Sequence, residues 1–164
     1  MDGRIISKAA GETVNSYYWT LGAVFSGSIK PCFYLKSDGV TETLIPSSGY
    51  LIPEVWTHIA ATWDGSIMRL YKDGVLVGSK AKNGTLDANN TVKVTIGNQP
   101  IGAGSKPFDG LIDDLRIYNV ALSQSEIQSL MYGSDESTCT ECDFYPDGVV
   151  DGKDLWIFIE HWLK

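Results

Sequence analysis

The chain has few basic residues and no long apolar run. Its 20 aspartates and glutamates outnumber 13 lysines and arginines, so the 164 residues carry a formal net charge of −7. Nucleic acids and anionic membrane surfaces are bound by basic patches, so this charge argues against both as partners. No apolar stretch approaches the roughly 20 residues of a bilayer-spanning helix, so no membrane span is expected.

The amino terminus also lacks the pattern of a secretory signal peptide. Residues 1–6 read Met-Asp-Gly-Arg-Ile-Ile, without the apolar stretch that follows a charged start in such signals. We therefore expect this chain to begin inside a longer protein, and its localisation has to be inferred from other features.

Cysteine is scarce, and its odd count of 3 leaves one thiol unpaired or paired outside the chain. Cys139 and Cys142 form a CxxC pair. A zinc site would need two more ligands, and only Cys32, His58 and His161 remain. No βαβ pattern surrounds the pair, which argues against a thioredoxin-like role. The spacing favours a small disulfide in an oxidising compartment, with two free thiols as the alternative.

Asp-Gly pairs divide the middle of the chain into β-rich runs. Asp64-Gly65 and Asp73-Gly74 separate the runs 56–63, 66–72 and 75–80. Asp-Gly accepts positive φ at both central positions of a tight hairpin, so these runs predict a three-stranded antiparallel meander. Many short strands between turns predict an all-β fold, an antiparallel β-sandwich of two sheets. The other predicted strands are 4–8, 17–25, 31–37, 42–45, 91–97 and 111–118.

One short helix is predicted after the strands. Ser123 as N-cap and Glu126 three residues later form a capping box, which Leu122 and Ile127 complete as a hydrophobic staple. Ile127, Leu130 and Met131 share one face and Gly133 ends the helix. We expect this helix to pack across an end or an edge of the sandwich.

The last 22 residues have the spacing of a calcium-binding loop followed by an apolar helix. The acids Asp143, Asp147, Asp151 and Asp154 occupy loop positions 1, 5, 9 and 12, and Gly148 allows the sharp turn at position 6. The backbone carbonyl of Val149 would supply position 7. Tyr145 stands at position 3, where Asp or Asn would give an oxygen, so weakened affinity or a water ligand is expected. The alternative is an acidic turn that caps a helix without metal.

Several motifs resemble a known family in order along the chain. Residues 56–65, 70–74, 110–119 and 121–127 are similar to the later part of laminin-G-like, concanavalin A-type jelly-roll domains. The resemblance implies a jelly roll over residues 1–133 and a role in binding glycans or proteins. A full domain of this family has several strands before the point that Met1 occupies, so an N-terminally incomplete domain is expected.

The end of the chain resembles one repeat of a dockerin module. Such modules stand at the carboxyl termini of secreted bacterial proteins and normally contain two repeats. The resemblance implies a calcium-binding tail at 143–164 after a linker at 134–142. Its partner would be a cohesin-like or neighbouring module.

No pair of catalytic carboxylates is apparent. Glycoside hydrolysis needs two carboxylates about 5 to 9.5 Å apart across a cleft. Sandwich hydrolases place theirs at alternate positions of one strand, and no such run occurs here. Asp113 and Asp114 are adjacent, so on a strand they would point to opposite faces. By family resemblance, Asp113 is instead a candidate ligand of a second calcium. A packed strand histidine is the favoured interpretation of His58.

Aromatic clusters and loops are the candidate ligand-binding positions. Tyr17, Tyr18, Trp19 and Tyr50 offer flat rings of the kind that stack on sugars, although alternate aromatics in a strand are usually core. Loops carry binding function more often than strands do. The loops 9–16, 47–52 and 99–108 are therefore the preferred places, and the last is expected to line a shallow groove.

The sequence thus predicts a non-catalytic extracellular or cell-surface binding module of a secreted bacterial protein. Its ligand would be a carbohydrate or an extracellular protein. A fragment of a concanavalin A-like glycoside hydrolase and a structural spacer that presents the tail are the alternatives. Unpaired sheet edges in an incomplete sandwich also make a homo-oligomer a predicted partner state.

Overall fold

Two antiparallel sheets form nearly all the regular structure in the computed structural model, which describes residues 2–132. The five-stranded sheet has the order β4-β3-β2-β1-β8 and the three-stranded sheet the order β5-β6-β7. A 3-10 turn spans Val14–Ser16 and helix α1 spans Gln124–Tyr132. The strands are β1 Asp2–Ala9, β2 Tyr17–Phe25, β3 Ile29–Ser37, β4 Val40–Leu44, β5 Ile59–Trp63, β6 Ile67–Lys72, β7 Val75–Ala81 and β8 Val94–Ile96. The predicted all-β sandwich is therefore confirmed.

The Asp-Gly turns form the predicted meander by two different means. At the β6–β7 turn, Asp73 and Gly74 have φ of 50° and 70°, so both central residues adopt positive φ as expected. At the β5–β6 turn only Gly65 does, with φ of 89°. Asp64 instead accepts hydrogen bonds from the backbone N–H groups of Ser66 and Ile67 at 2.9 and 2.8 Å. Its side chain stabilises this turn.

The main core lies between the two sheets. Alternate residues of β2 and β3, such as Leu21 and Phe33, point to the other sheet and are almost fully buried. From the second sheet, Ile59 and Leu70 meet them with no exposed surface. The partly buried Ile112 and Leu115 pack against the same cluster from the segment that precedes α1.

The strand predicted at 111–118 is absent, and this prediction was wrong. Asp114 adopts a φ of 48°, in the left-handed region, which interrupts an extended chain. Its two core-facing residues, Ile112 and Leu115, are three positions apart rather than two. The argument that Asp113 and Asp114 point to opposite faces of a strand also fails, because neither residue lies on a strand. Both are exposed.

Helix α1 begins with the predicted capping box. The Ser123 N–H donates to Glu126 Oε2 at 2.6 Å, and the Glu126 N–H donates to Ser123 Oγ at 3.3 Å. Ile127 is fully buried against Ala60 and Tyr71, which are cross-strand partners of β5 and β6. The helix therefore packs on the outer face of the three-stranded sheet, at the end where Gln128 Nε2 donates to the Gly74 carbonyl of the β6–β7 turn at 3.0 Å. Gly133, its predicted stop, lies outside the described residues.

No helix within residues 2–132 is long and apolar enough to cross a membrane. The predicted linker at 134–142 and the calcium tail at 143–164 lie outside the described residues.

Candidate ligand-binding surfaces

The four aromatic candidates occupy different environments. Tyr17 and Trp19 are only 3% and 1% exposed, so neither presents a ring face to solvent. Tyr18 is half-buried and Tyr50 is 53% exposed. Only Tyr50 therefore offers a broad ring surface, and its contacts decide whether that ring is held in place.

Tyr50 and Lys30 form an exposed aromatic platform. The Lys30 ammonium lies 5.3 Å from the centre of the Tyr50 ring, within the range of a cation–π contact. The loop that carries Tyr50 is fixed at its next residue, because the Leu51 N–H donates to the Ile29 carbonyl at 2.9 Å. On the other side, Gly49 lies directly against Val77 of β7. The platform, defined as Tyr50 and Lys30, thus rests on a loop anchored to both sheets.

Tyr18 is held by polar contacts on a different part of the five-stranded sheet. Asn89 Nδ2 donates to the Tyr18 hydroxyl at 3.1 Å, and the Lys36 ammonium lies 5.2 Å from the centre of its ring. Lys36 also lies 3.8 Å from Asp87. Tyr50 has contacts of the same kind, with Lys30 over one ring face and a hydroxyl that donates to the Ser47 carbonyl at 3.4 Å. The greater exposure of its ring is therefore what gives Tyr50 more room for a ligand than Tyr18.

The outer face of the five-stranded sheet contains an unexpected buried charge. Arg4 is only 1% exposed, and its guanidinium carbon lies 5.3 Å from the centre of the Tyr17 ring and 4.9 Å from that of Tyr34. Its Nη1 pairs with Asp2 at 2.5 Å. Arg4, Asp2, Tyr17, Tyr34 and Cys32 form what is called here the arginine cluster. The charge is tolerated because a carboxylate and two aromatic faces replace its hydration.

A loop covers the arginine cluster. Residues 98–107, called the strap, are folded around Asn98, whose Oδ1 accepts from the N–H groups of Gln99 and Lys106 at 2.8 and 2.7 Å. The Lys106 carbonyl accepts from the Arg4 N–H at 3.0 Å, and the Lys106 ammonium pairs with Asp2. Ala103 packs against the cluster with 1% exposure. The strap therefore packs on the outer face of the sheet, and the shallow groove predicted along 99–108 stays a prediction.

Burial makes the cluster's sulphur and phenol poor proton donors. It raises the pKa of the Cys32 thiol to about 12, although the charge of Arg4 acts in the opposite direction. Burial likewise raises the pKa of Tyr34 to about 12. Both groups are neutral at physiological pH, so Asp2 balances Arg4. Cys32 is a free, buried thiol, and a thiol so far from ionisation is unreactive.

The described residues contain no cluster of side chains that would support the predicted metal sites. No group of three or more His, Cys, Asp or Glu that could hold an ion occurs within residues 2–132. Asp113 is exposed, and its Oδ1 accepts from the Asp114 N–H at 2.9 Å. Cys139, Cys142 and the predicted calcium ligands lie outside the described residues; these ligands are Asp143, Asp147, Val149, Asp151 and Asp154.

His58 lies just before β5 and is fully buried. Its N–H donates to Asp73 Oδ1 at 3.1 Å, and its carbonyl accepts from the Asp73 N–H at 2.9 Å. The residue is thus tied through its backbone to the β6–β7 turn, in agreement with a packed position.

The covering role of the strap and the burial of Arg4 were missed by the sequence interpretation. Arg4 was placed within a strand but assigned no role, and its only signal was a charge beside two isoleucines. Apart from Asp2 on its own strand, the partners of Arg4 come from β2, β3 and the strap, as far as residue 106. Such distant contacts leave no local pattern in one sequence.

Comparisons with known proteins show which family and which proteins the chain is similar to. A family model described as the concanavalin A-like lectin/glucanases superfamily, of the laminin G type, matches residues 2–128. The zebrafish adhesion G-protein coupled receptor V1 is 26% identical over 134 residues, which is 79% of this chain and 2% of the receptor. Mouse pappalysin-1 is 34% identical over 101 residues, 60% of this chain and 6% of pappalysin-1. The chain thus spans a very small part of these relatives.

A solved structure is also similar. An S-layer domain-containing protein from Clostridium thermocellum is 30% identical, and the match covers 79% of this chain and 63% of that one with a TM-score of 0.41.

Proposed function

The chain belongs to the concanavalin A-like lectin/glucanases superfamily, and from that membership we propose that it is a non-catalytic extracellular binding module for a carbohydrate or protein ligand. A receptor named for adhesion shares the domain over 79% of this chain, which supports a cell-surface or extracellular role. The Tyr50–Lys30 platform is the observation that carries the proposal, since its ring is 53% exposed and yet held by the sheets.

A platform of this kind suits a sugar ring. The C–H face of a pyranose packs on a flat aromatic ring, and a neighbouring polar group fixes its orientation. Lys30 supplies hydrogen-bond donors beside the Tyr50 ring. A protein ligand would use the same pair, because tyrosine is enriched at the centres of protein interfaces.

Replacement of Tyr50 tests the binding role. We expect Tyr50→Ala to weaken binding on a glycan array, or to a captured protein ligand, by at least about tenfold, because the stacking surface is lost. Tyr132→Ala is the matched control, since Tyr132 is 77% exposed on α1. A thermal melt establishes that both variants fold.

Two results would contradict the binding role. Release of reducing sugar that is abolished by carboxylate substitutions would favour the glycoside hydrolase alternative. Binding of every partner after removal of all exposed loop aromatics would favour the spacer.

The same proposal includes a calcium-binding, dockerin-like tail on a secreted bacterial protein. Four side-chain carboxylates and the Val149 carbonyl are spaced to converge on one hard cation. Bound calcium would hold these ligands together, and the apolar residues after them would dock on a cohesin-like or neighbouring module.

Calorimetric titration with calcium tests the tail. We expect Asp143→Ala combined with Asp154→Ala to abolish the heat of binding, because the first and last ligands of the loop are lost. Tyr145→Asn should tighten binding, since it restores an oxygen at position 3. No heat from the intact chain at millimolar calcium would exclude the site.

A further inference from the structure

Three residues stand side by side across neighbouring strands at one end of the five-stranded sheet. Lys8 of β1 pairs with Trp19 of β2 on one side and with Val94 of β8 on the other. Directly paired residues point to the same face of a sheet. Trp19 belongs to the core between the sheets, so all three face inward.

This inward face is incompletely covered beside β8. The second sheet has three strands against five, and its strands β6 and β7 pack over β3 and β4. Ile96 pairs with the core residue Ile6 and must face inward too, yet it is 57% exposed. Val94 is 43% exposed. The sandwich is therefore open at this end, with aliphatic side chains at the opening.

Two hydrogen-bond donors at the opening have no acceptor among residues 2–132. Trp19 is 1% exposed, and its buried Nε1–H makes no hydrogen bond there. Lys8 is 8% exposed, and within the same residues its ammonium has neither an ion pair nor a hydrogen bond. A buried donor without an acceptor is unfavourable and uncommon, which applies to the Trp19 Nε1–H, whereas the Lys8 ammonium reaches solvent at the opening. Burial lowers the pKa of Lys8, as expected for a cation without a carboxylate beside it.

The chemistry of the missing group follows from the two donors. An ammonium and an indole N–H only donate, so the complementary group has to accept, and among acceptors a carboxylate also balances the charge of Lys8. Val94 and Ile96 offer exposed aliphatic surface on which apolar side chains of the same ligand can pack. Strand β8 is an edge strand of its sheet, whose outward backbone groups can pair with an added strand. The charge of Lys8 and the edge position of β8 favour an acidic peptide over a neutral sugar, which has neither a carboxylate nor a backbone that can extend a sheet.

We propose that the open end formed by Lys8, Trp19, Val94 and Ile96 binds an extended peptide that places a carboxylate against Lys8 and aliphatic side chains against β8. The proposal rests on the binding role proposed above and adds a peptide site distinct from the Tyr50–Lys30 platform.

Selection from a display library of random decapeptides on the full-length chain tests the site. We expect enrichment of Asp or Glu with aliphatic residues two positions away, because alternate side chains of a strand share a face. Lys8→Glu should change the selected charge to Lys or Arg, and Lys8→Met should abolish the charge preference. Lys93→Met is the control, since it removes the same charge from an exposed position next to Val94.

A synthesised copy of the enriched peptide gives the second measurement. Changing its acidic residue to the amide should weaken binding at least about tenfold to the native chain and not to Lys8→Met. The peptide should also shift the indole N–H resonance of Trp19, assigned with Trp19→Phe.

The outcomes separate this site from the glycan platform. Peptide binding that survives Tyr50→Ala, with glycan binding that survives Lys8→Met, supports two surfaces. An unchanged acidic preference in Lys8→Met overturns the proposal. So does selection without acidic preference, selection of acidic glycans instead of peptides, or self-association at this edge that excludes peptides.

Discussion

Gly22 shows how one residue permits the close approach of two strands. A Cβ added to Gly22 would lie 2.4 Å from the Gly3 carbonyl oxygen and 3.4 Å from Arg4 Cδ. The register of β1 against β2 shifts between Arg4 and Ile6, so β1 bulges beside this glycine. Gly22 therefore makes room both for the bulge and for the Arg4 side chain.

Substitution of Gly22 should be costly for steric reasons alone. We expect Gly22→Ala to lower the free energy of unfolding by about 2 to 3 kcal/mol, because the added methyl meets backbone that cannot rotate away. Urea denaturation measures the change.

Gly39→Ala is the matched control for Gly22→Ala. Gly39 has a φ of 79° and nothing within 4 Å of an added Cβ, so only the conformational cost of about 1 kcal/mol applies. Equal losses in the two variants would contradict the close approach at Gly22.

Helix α1 illustrates how an element signals its own start. Its capping hydrogen bonds join residues three apart, so sequence spacing alone predicts them.

Hydrogen bonds from the Ser123 hydroxyl and N–H lower the pKa of Glu126 below its ordinary value of 4.5. A lowered pKa in the folded state means that the stabilisation is present above pH 4.5 and is lost as pH falls through the folded value.

The capping box should therefore give α1 a pH-dependent stability. We expect Glu126→Gln to be less stable than the native chain at pH 7, with a difference that shrinks as pH falls below 4.5. Thermal melts followed by circular dichroism at several pH values measure it. Glu12→Gln, at an exposed loop carboxylate, serves as the control. A difference that grows in acid would contradict the assigned hydrogen bonds.

The segment 111–118 shows the opposite case at the same scale. A strand was predicted over these residues, but Asp114 has positive φ and no ladder forms. A strand needs a partner edge as well as a pattern, and none pairs with this segment among residues 2–132.

For the whole molecule, packing between the sheets is the main source of stability. Leu70 of β6 is fully buried between them. On the adjacent strand, Leu76 is 43% exposed. Leucine thus occurs both in the core and at the surface. Comparing the effects of truncating Leu70 and Leu76 on the free energy of unfolding measures how much the core position contributes.

Truncation of these leucines should give very different losses. We expect Leu70→Ala to lower the free energy of unfolding by about 2 to 5 kcal/mol, because it leaves a cavity between the sheets. Leu76→Ala should cost about 0.5 kcal/mol. Urea denaturation of both variants measures the difference, and similar losses would contradict face-to-face packing.

A homo-oligomer stays a prediction for the whole molecule, and a monomeric mass by light scattering at high concentration would contradict it.

Local signals account for what the sequence determined by itself. The β-rich runs, the Asp73-Gly74 turn and the Ser123–Glu126 box depend on residues a few positions apart, so the all-β class, the meander and α1 were predictable. Tyr50 was found because it lies in a loop. The motifs that resemble a known family also predicted the superfamily whose model matches residues 2–128.

Only the tertiary structure decided which charges are buried and which sheet faces are open. The burial of Arg4 depends on Tyr34 and Lys106, and the exposure of Ile96 depends on how far the second sheet extends. These contacts join residues that are distant along the chain, and each depends on strand order and register, which no short stretch of sequence encodes.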